Sequence, residues 1–212
     1  MKTADLIHLL ARQKGFLSQP LRKQMRKQLL LSLPVCVVLL SILWGINPHL
    51  RSLVIHPAFL TKALWLIVLS TLSWQGVMQL ARPGFGPVYT FWGLMFGWVF
   101  MFILGGLQSY GVPPDVQQAS WLGASWNTCS ISIIALAVPV LVSSLWALKS
   151  QASTQPVWAG AAAGVFSASL SAMLYSLHCT EIGLGFFALW YGAGIFAVSV
   201  LGAFLGKYFL RW

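Results

Sequence analysis

Six apolar stretches, each long enough to cross a bilayer, divide this sequence of 212 residues. A membrane-spanning helix needs about 20 apolar residues to cross about 30 Å of hydrocarbon. A composition that is 58% hydrophobic and 8% charged also leaves too little polar surface for a soluble domain of this length. We therefore predict an all-α fold, a polytopic membrane protein with a six-transmembrane-helix bundle, whose spans are Leu29–Ile46, Phe59–Leu80, Val88–Leu107, Asn127–Leu148, Val157–Leu177 and Phe186–Gly206.

Positive charge is concentrated on one side of the predicted spans. Eleven of the 13 Lys and Arg residues fall in segments that share a side with both termini, and only Arg51 and Lys62 fall on the other side. Because cytoplasmic segments are rich in Lys and Arg, we predict that both termini are cytoplasmic. Lys62, near an outer span end, is expected to snorkel toward the outer surface. Topology and anionic lipid explain the net charge of +10 without nucleic-acid binding, for which the sequence carries no signature.

The spans divide the chain into three parts. Residues 1–28 form a cytoplasmic N-terminal segment, residues 29–206 the transmembrane domain, and residues 207–212 a cytoplasmic tail. Most connections between spans are too short to fold alone. Only Gln108–Trp126 is long enough to form a small cap on the outer side.

The N-terminal segment is predicted to form a short amphipathic helix followed by a basic linker. Its first residues carry an apolar stripe and an acid near the positive end of the helix dipole, and six basic residues follow between positions 12 and 27. Such a helix can lie on the inner membrane surface. Alternatively, the stripe can fill a groove on a cytoplasmic protein. In the second case the partner-binding residues are Asp5, Leu6, Leu9 and Leu10.

Small residues recur at helical spacing in three of the spans. They let two backbones approach closely, either within the bundle, which we expect, or between two copies in a homo-oligomer. Pro139 lies inside the fourth span and should bend it. The spacing motifs are Gly93-x-x-x-Gly97, Gly160-x-x-x-Gly164 and Gly202-x-x-x-Gly206.

Machinery for transport or catalysis is not visible in the sequence. Proton relays and ion-coupled carriers need ionisable residues within the membrane, and no acid lies at a predicted midplane. The Gly-rich phosphate loop, the His-Glu-x-x-His motif and the Gly-x-Ser-x-Gly motif are missing as well. We therefore predict that the protein is not an enzyme and carries no cofactor.

Two of the three cysteines are predicted to lie together. Cys36 sits among apolar residues and is expected only to pack. Counted from the cytoplasmic turn, Cys129 and Cys179 stand ~28 Å and ~33 Å along neighbouring helices, at ~1.5 Å per residue. Such a pair can form a disulfide in an oxidising compartment, bind a soft metal ion with His178, act as a permanent staple, or simply pack. The first two options suit a sensor of oxidants or metals.

Several of these features together resemble the NrsF-type membrane anti-sigma factors of bacteria. The resemblance is carried by the opening Met1-Lys2-Thr3-Ala4-Asp5-Leu6-Ile7, the six spans, Cys129 at the head of the fourth span, Leu177-His178-Cys179 after the fifth, Ala188-Leu189-Trp190-Tyr191 and the final Arg211-Trp212. It implies a regulator that holds an extracytoplasmic-function sigma factor at the inner membrane until stress releases it. It also implies that Cys129 and Cys179 matter for the response to metals or oxidants.

These observations combine into one predicted function and two alternatives. We predict an anti-sigma factor that releases its sigma factor when the outward-facing pair Cys129 and Cys179 reacts with a metal or an oxidant. One alternative is a small transporter or channel subunit. The other is a membrane thiol oxidoreductase, which the lack of a Cys-x-x-Cys motif makes less favourable.

Overall fold

The computed structural model describes residues 20–45, 47–48, 51, 54–82, 88–151 and 153–210, with the side chains of 88–90 left out. The described residues contain helices and connecting turns but no strand, and six helical segments are long and apolar enough to cross a membrane. This confirms the predicted all-α, six-span fold. The helices are α1 Leu21–Leu43, α2 Pro57–Leu80, α3 Val88–Gln108, α4 Pro114–Leu122, α5 Trp126–Lys149, α6 Pro156–Tyr175 and α7 Leu184–Phe209.

Hydrogen bonds between distant parts of the chain define the two ends of the bundle. At one end, the Ser150 hydroxyl after α5 donates to Gln24 Oε1 at the start of α1, at 2.7 Å. At the other end, the backbone N–H of Asn47 after α1 donates to Leu177 O after α6, at 3.3 Å. We call these the basic end and the thiol end. The described Lys and Arg residues at the basic end are Arg22, Lys23, Arg26, Lys27, Arg82, Lys149 and Lys207.

Helix α6 lies at the centre of the bundle, packed against α1, α2, α5 and α7. Its contact with α7 is made by backbone, because a Cβ placed on Gly160 or Gly164 would meet main-chain atoms of α7. Reciprocally, a Cβ on Gly202 would meet the carbonyl oxygen of Gly160, and one on Gly206 would lie 2.9 Å from the Gly160 Cα. Two of the three glycine motifs therefore pack α6 and α7 within one chain, as we expected.

Polar side chains add specific contacts between the central helices. The Ser70 hydroxyl of α2 donates to the Ser169 hydroxyl of α6 at 2.9 Å, in a buried position. The Cys36 thiol of α1 donates to the carbonyl oxygen of Leu136 in α5 at 3.3 Å, close to Pro139. In an apolar surrounding, such bonds fix the rotation of one helix against the next. Cys36 therefore packs between helices, as its apolar neighbours in the sequence predict.

Helices α3 and α4 lie at the edge of the bundle. On α3, Gly97 leaves room for the indole of Trp65 from α2. Helix α4 forms the predicted cap between α3 and α5 and ends before Gly123, whose φ of +63° is a left-handed conformation that favours glycine. The indole of Trp121 in α4 donates to Ser109 Oγ after α3 at 3.0 Å. The cap is therefore fastened to the thiol end.

One helix start differs from the predicted spans by more than three residues, and one helix contains an irregular turn. Helix α1 begins at Leu21, not Leu29, so its basic residues belong to the helix and not to a linker. Leu21 and Met25 are buried against the bundle, which explains why the helix extends there despite its charge. Helix α7 begins at Leu184 and contains a π-helical turn over Phe187–Tyr191, which hydropathy cannot reveal. The predicted amphipathic helix near the N-terminus lies outside the described residues.

Because α6 and α7 are in such close contact, one added methyl group between them should clearly lower the stability of the bundle. In Gly202→Ala the new Cβ meets backbone atoms of Gly160 and Gly164, which cannot move aside as a flexible side chain would. Overpacking of this kind costs about 1–3 kcal/mol. We expect a lower thermal unfolding temperature for the purified protein in detergent, measured by the fluorescence of its tryptophans.

Gly106→Ala is the matched control, because no heavy atom lies within 4 Å of a Cβ placed there. It should leave the unfolding temperature unchanged or slightly raised, since alanine favours a helix. Equal unfolding temperatures for the two variants would contradict the packing described for α6 and α7.

Candidate functional site

Cys129 and Cys179 meet at the thiol end of the bundle. Cys129 lies in the first turn of α5 and is fully buried. Cys179 follows α6, where its backbone N–H donates to Tyr175 O at 3.1 Å, and only 5% of its surface is exposed. The two side chains interact directly, and both are free thiols in this structure. The structure thus brings together the two cysteines that sequence reasoning placed at similar depth.

Lys62 belongs to the same group of side chains, which together with Cys129, Cys179, Tyr191 and Glu181 we call the thiol cluster. The prediction that Lys62 snorkels toward the surface is wrong. Its side chain turns into the bundle from the second turn of α2 and is only 4% exposed. The ammonium donates to the backbone oxygen of Glu181 at 3.0 Å and lies 5.3 Å from the ring centre of Tyr191. A carbonyl oxygen and an aromatic face stabilise a cation that has left water. The inward position is therefore supported by specific partners.

The π-helical turn of α7 supplies the third side of the cluster. It contains Tyr191, which is fully buried and packs against Phe187 and Tyr175 with ring centres 4.9 Å and 6.1 Å away. The Tyr191 hydroxyl makes no hydrogen bond of ordinary geometry to any described residue. It nevertheless lies close enough to Cys179 to interact with the sulfur. The widened turn thus places a free hydroxyl beside a thiol.

Glu181 fixes the loop that carries Cys179. Its carboxylate accepts a hydrogen bond from the backbone N–H of Ala124, at 2.8 Å, in the turn before α5. The backbone oxygen of the same residue accepts from Lys62. One residue therefore ties the Cys179 loop to the turn before α5 and to α2, so the distance between the two thiols depends on it.

These neighbours favour the anionic form of Cys179, which lies outside the membrane-spanning helices. Hydrogen bonding from the Cys129 thiol lowers the pKa of Cys179, and the Lys62 ammonium lowers it further. The backbone of Glu181 and the Tyr191 hydroxyl act in the same direction, whereas burial opposes them. A thiolate is the reactive form toward oxidants, alkylating agents and metal ions.

His178 does not join the two thiols. Its Nδ1 lies 3.2 Å from the carbonyl oxygen of Gly45, and its ring packs beside Tyr175 with centres 5.8 Å apart. Within the part of the chain that the structure describes, no three His, Cys, Asp or Glu side chains are grouped so as to hold a metal ion. The three predicted ligands Cys129, Cys179 and His178 are therefore not arranged to hold one metal ion, although His178 lies near the two thiols.

A cavity of about 320 Å³ lies beside the cluster at the thiol end. Cys179 lines this cavity, whereas Cys129 does not. Its other walls include aromatic and polar side chains. Among them are Trp44, Asn47, Thr128, Tyr175 and His178.

The basic end carries a second candidate surface. The first two turns of α1 bury Leu21 and Met25 and expose four basic side chains. The exposed residues are Arg22, Lys23, Arg26 and Lys27. The predicted partner-binding residues Asp5, Leu6, Leu9 and Leu10 lie outside the described residues.

Three members of the thiol cluster were missed as site residues by sequence reasoning, namely Lys62, Tyr191 and Glu181. A signal for Lys62 exists, since a lone lysine within an apolar helix is unusual and commonly marks a functional site. Tyr191 has no such signal, because a π-helical turn leaves no pattern in composition.

Comparison with known proteins gives a match along almost the whole chain. The family model described as "NrsF: Negative regulator of sigma F" matches residues 10–212. The "Anti-sigma-F factor NrsF" of Caulobacter vibrioides is 36% identical, and the "Probable anti-sigma-F factor NrsF" of Azospira oryzae is 30% identical, each with 100% of both chains covered. No solved structure matches the chain. The family match and the two full-length relatives confirm the resemblance found in the sequence, and the chain belongs to the NrsF family of negative regulators of sigma F.

Proposed function

We propose that this chain is a membrane-bound anti-sigma factor that sequesters an extracytoplasmic-function sigma factor at the bacterial inner membrane and releases it under metal or oxidative stress. The observation that carries the proposal is the full-length similarity to relatives named anti-sigma-F factors. The role is regulatory and requires no catalytic residue and no cofactor. The partners are the sigma factor and the lipid bilayer, and the chain does not contact nucleic acid itself.

We base the proposed orientation in the membrane on the charge of the basic end. Seven described Lys and Arg residues gather there, against Arg51 and Lys62 at the thiol end. This distribution supports a cytoplasmic basic end, because positive residues remain on the cytoplasmic side and are attracted by anionic lipid. The thiol end then faces the periplasm, where an oxidising environment allows thiols to change state.

The sigma factor binds the N-terminal segment in this proposal. Burial of Leu21 and Met25 anchors the start of α1 on the bundle, directly after this segment in the sequence. The apolar stripe of that segment fills a groove on the sigma factor, as amphipathic helices commonly do. The residues proposed to bind are Asp5, Leu6, Leu9 and Leu10.

Cys129 and Cys179 form the sensor in this proposal. Their direct interaction, their burial and the favoured thiolate of Cys179 support a pair that joins in a disulfide or ligates a soft metal ion. Either event changes how α5 and the loop after α6 pack. Helix α5 carries Cys129 at one end, and the Ser150 that follows its other end holds Gln24 of α1. Its movement therefore reaches the anchor of the N-terminal segment.

The size of the required change is set by binding equilibria. To move a partner from almost fully bound to almost fully free, the two states must differ about 10⁴-fold in affinity, or about 5.5 kcal/mol. A single disulfide contributes free energy of that order at most. The proposed switch therefore needs a bundle whose two packings are close in energy.

Deleting residues 1–19 should abolish sigma-factor capture without disturbing the bundle, because α1 begins at Leu21. A finer change is the double substitution Leu6→Ser and Leu10→Ser. Each buried leucine contributes about 1.5–3 kcal/mol, so the affinity should fall at least about tenfold. The measurement is co-purification of the sigma factor with the intact membrane protein.

His8→Ser is the matched control, since His8 interrupts the stripe and should not enter the groove. It should retain the sigma factor, as should the unchanged chain. Capture that survives in the deletion variant would rule out the N-terminal segment as the binding element.

Cys129→Ser and Cys179→Ser should each reduce induction of the sigma factor's target genes by cadmium or oxidant to the uninduced level. Serine is close in size, so the bundle should still insert and hold its partner. A transcriptional reporter measures induction, and immunoblotting of membranes measures the amount of protein.

Cys36→Ser provides the control within the same chain. Its hydroxyl can donate to Leu136 O as the thiol does, and it lies apart from the other two cysteines. Induction should persist in this variant. If both sensor variants also responded normally, the role assigned to the pair would be refuted.

A further inference from the structure

A second cavity, of about 510 Å³, lies among the membrane-spanning helices and shares no lining residue with the cavity beside the thiol cluster. Helix α3 forms one side of it, and α2, α6 and α7 form the other. The lining residues Leu69 and Leu80 are buried, whereas Met95 and Phe196 are exposed. The cavity is therefore a groove that opens sideways, in the direction of the bilayer.

The groove is closed near the thiol end by a contact between α3 and α7. A Cβ placed on Gly105 of α3 would lie 2.8 Å from the Cα of Gly185 in α7, so the two backbones touch there. Farther toward the basic end, small residues leave the space between the helices unfilled. These are Ala161 and Ala162 of α6 and Ala193 of α7, all of which line the groove.

The lining of the groove is apolar. Apart from two indoles, Ser199 is the lining residue with a polar side chain, and its hydroxyl donates to Ala161 O at 3.4 Å. A buried water needs about two to four polar partners, which this lining does not offer. Leaving the space empty would forfeit dispersion contacts along all of its walls. The chemistry of the lining fits a hydrocarbon chain, and the surrounding bilayer consists of phospholipid acyl chains.

Two basic side chains lie at the basic end of the groove. Arg82 is exposed two residues after Leu80, whose carbonyl oxygen accepts a hydrogen bond from the Ser153 hydroxyl just before α6, at 2.7 Å. Lys207 is exposed on α7, about three turns beyond Phe196 and on the same helix face, at ~3.6 residues per turn. The groove thus leads from an apolar interior toward positive charge.

The surroundings of these two cations suit the headgroup of a lipid. The backbone next to Lys207 packs against Pro156 O, so this lysine lies level with the start of α6. Trp158, in the first turn of α6, lines the groove, and indoles favour the depth of the headgroups. The acidic residues that the structure describes, Asp115 and Glu181, lie at the thiol end and cannot neutralise the cations. An anionic headgroup is therefore the complementary partner.

We propose that the groove binds one anionic phospholipid from the leaflet at the basic end. An acyl chain fills the space between α3 and α7, and the headgroup phosphate lies beside Arg82 and Lys207. Basic pockets between membrane helices bind anionic headgroups in this way. The lipid supplies packing to α3, which lies at the edge of the bundle. The inference goes beyond the proposed function, because it requires neither a sigma factor nor a reaction of the thiols.

The test is a lipid titration of the full-length protein in mild detergent, followed by native mass spectrometry. Phosphatidylglycerol, which is anionic, is compared with phosphatidylcholine that carries the same acyl chains. Each basic side chain near an anionic headgroup is worth about fivefold in affinity. We therefore expect one bound phosphatidylglycerol, held at least about tenfold more tightly than phosphatidylcholine.

The headgroup contact is tested by the double substitution Arg82→Gln and Lys207→Gln. This variant should lose the preference for phosphatidylglycerol, while its weaker binding of phosphatidylcholine remains. Lys149→Gln is the matched control, because Lys149 is exposed at the same end but belongs to α5, which lines no part of the groove. The control should keep the preference within about twofold, since its charge lies outside the groove.

The acyl-chain site is tested by Ala162→Phe, which fills the groove. Overpacking by one ring should lower the affinity for both lipids at least about tenfold. Ala135→Phe makes the same change at an exposed position of α5 outside the groove and should bind lipid normally. If Ala162→Phe does not fold, Ala193→Phe narrows the groove from its exposed α7 side, and the same loss is expected.

Four results would overturn the inference. These are equal binding of the two lipids, an equal loss of preference in Lys149→Gln, normal lipid binding by a folded groove-filling variant, and a lipid-free dimer in which a second copy covers the groove. The titration contains no sigma factor, so it does not depend on whether the chain is an anti-sigma factor. Failure to capture a sigma factor would likewise leave the lipid titration unchanged, and the two proposals can fail separately.

Discussion

The backbone contact between α6 and α7 is the constraint on which the rest of the structure depends. Glycines at Gly160 and Gly164 face Gly202 and Gly206, so the two helices approach without intervening side chains. In lipid, where apolar burial drives helix association only weakly, such close packing is the main source of attraction. It places α6 at the centre of the bundle, which in turn fixes where its C-terminal end emerges. Cys179 lies four residues after that end, so the contact between α6 and α7 also determines where the thiol cluster lies.

The sequence contained enough information for the fold and for part of the site. Apolar run length determined six spans, because a bilayer imposes a minimum length on any crossing helix. Counting residues along two helices was enough to place Cys129 and Cys179 at one level. The inward turn of Lys62 could not be foreseen, because a lysine near a span end can reach water or find acceptors inside, and only the fold reveals the Glu181 carbonyl and the Tyr191 ring. Likewise, Leu21 extends α1 because it finds a tertiary contact, which hydropathy does not measure.

The two candidate surfaces lie at opposite ends of one bundle, and this separation shapes any regulatory mechanism. The thiol end gathers the two cysteines, Lys62 and the Glu181 carboxylate that joins the Cys179 loop to the turn before α5. The basic end gathers exposed cations and an anchored α1. Between them, α1 and α5 touch at Cys36 and Leu136, midway along both helices. A change in the tilt of α5 at the thiol end must therefore also act on α1, since the two are joined near Pro139 and again beyond Lys149.

The burial of the two sulfur atoms limits the size of the molecules that can reach them. With Cys129 fully covered and Cys179 only 5% exposed, the pair can be approached through a passage of about 320 Å³ and not along an open surface. Protein disulfide exchange enzymes must bring their own cysteine into line with the sulfur they attack, and a folded domain does not fit such a passage. In the proposed sensing role, the stimulus is therefore an ion or a small molecule and not a folded protein.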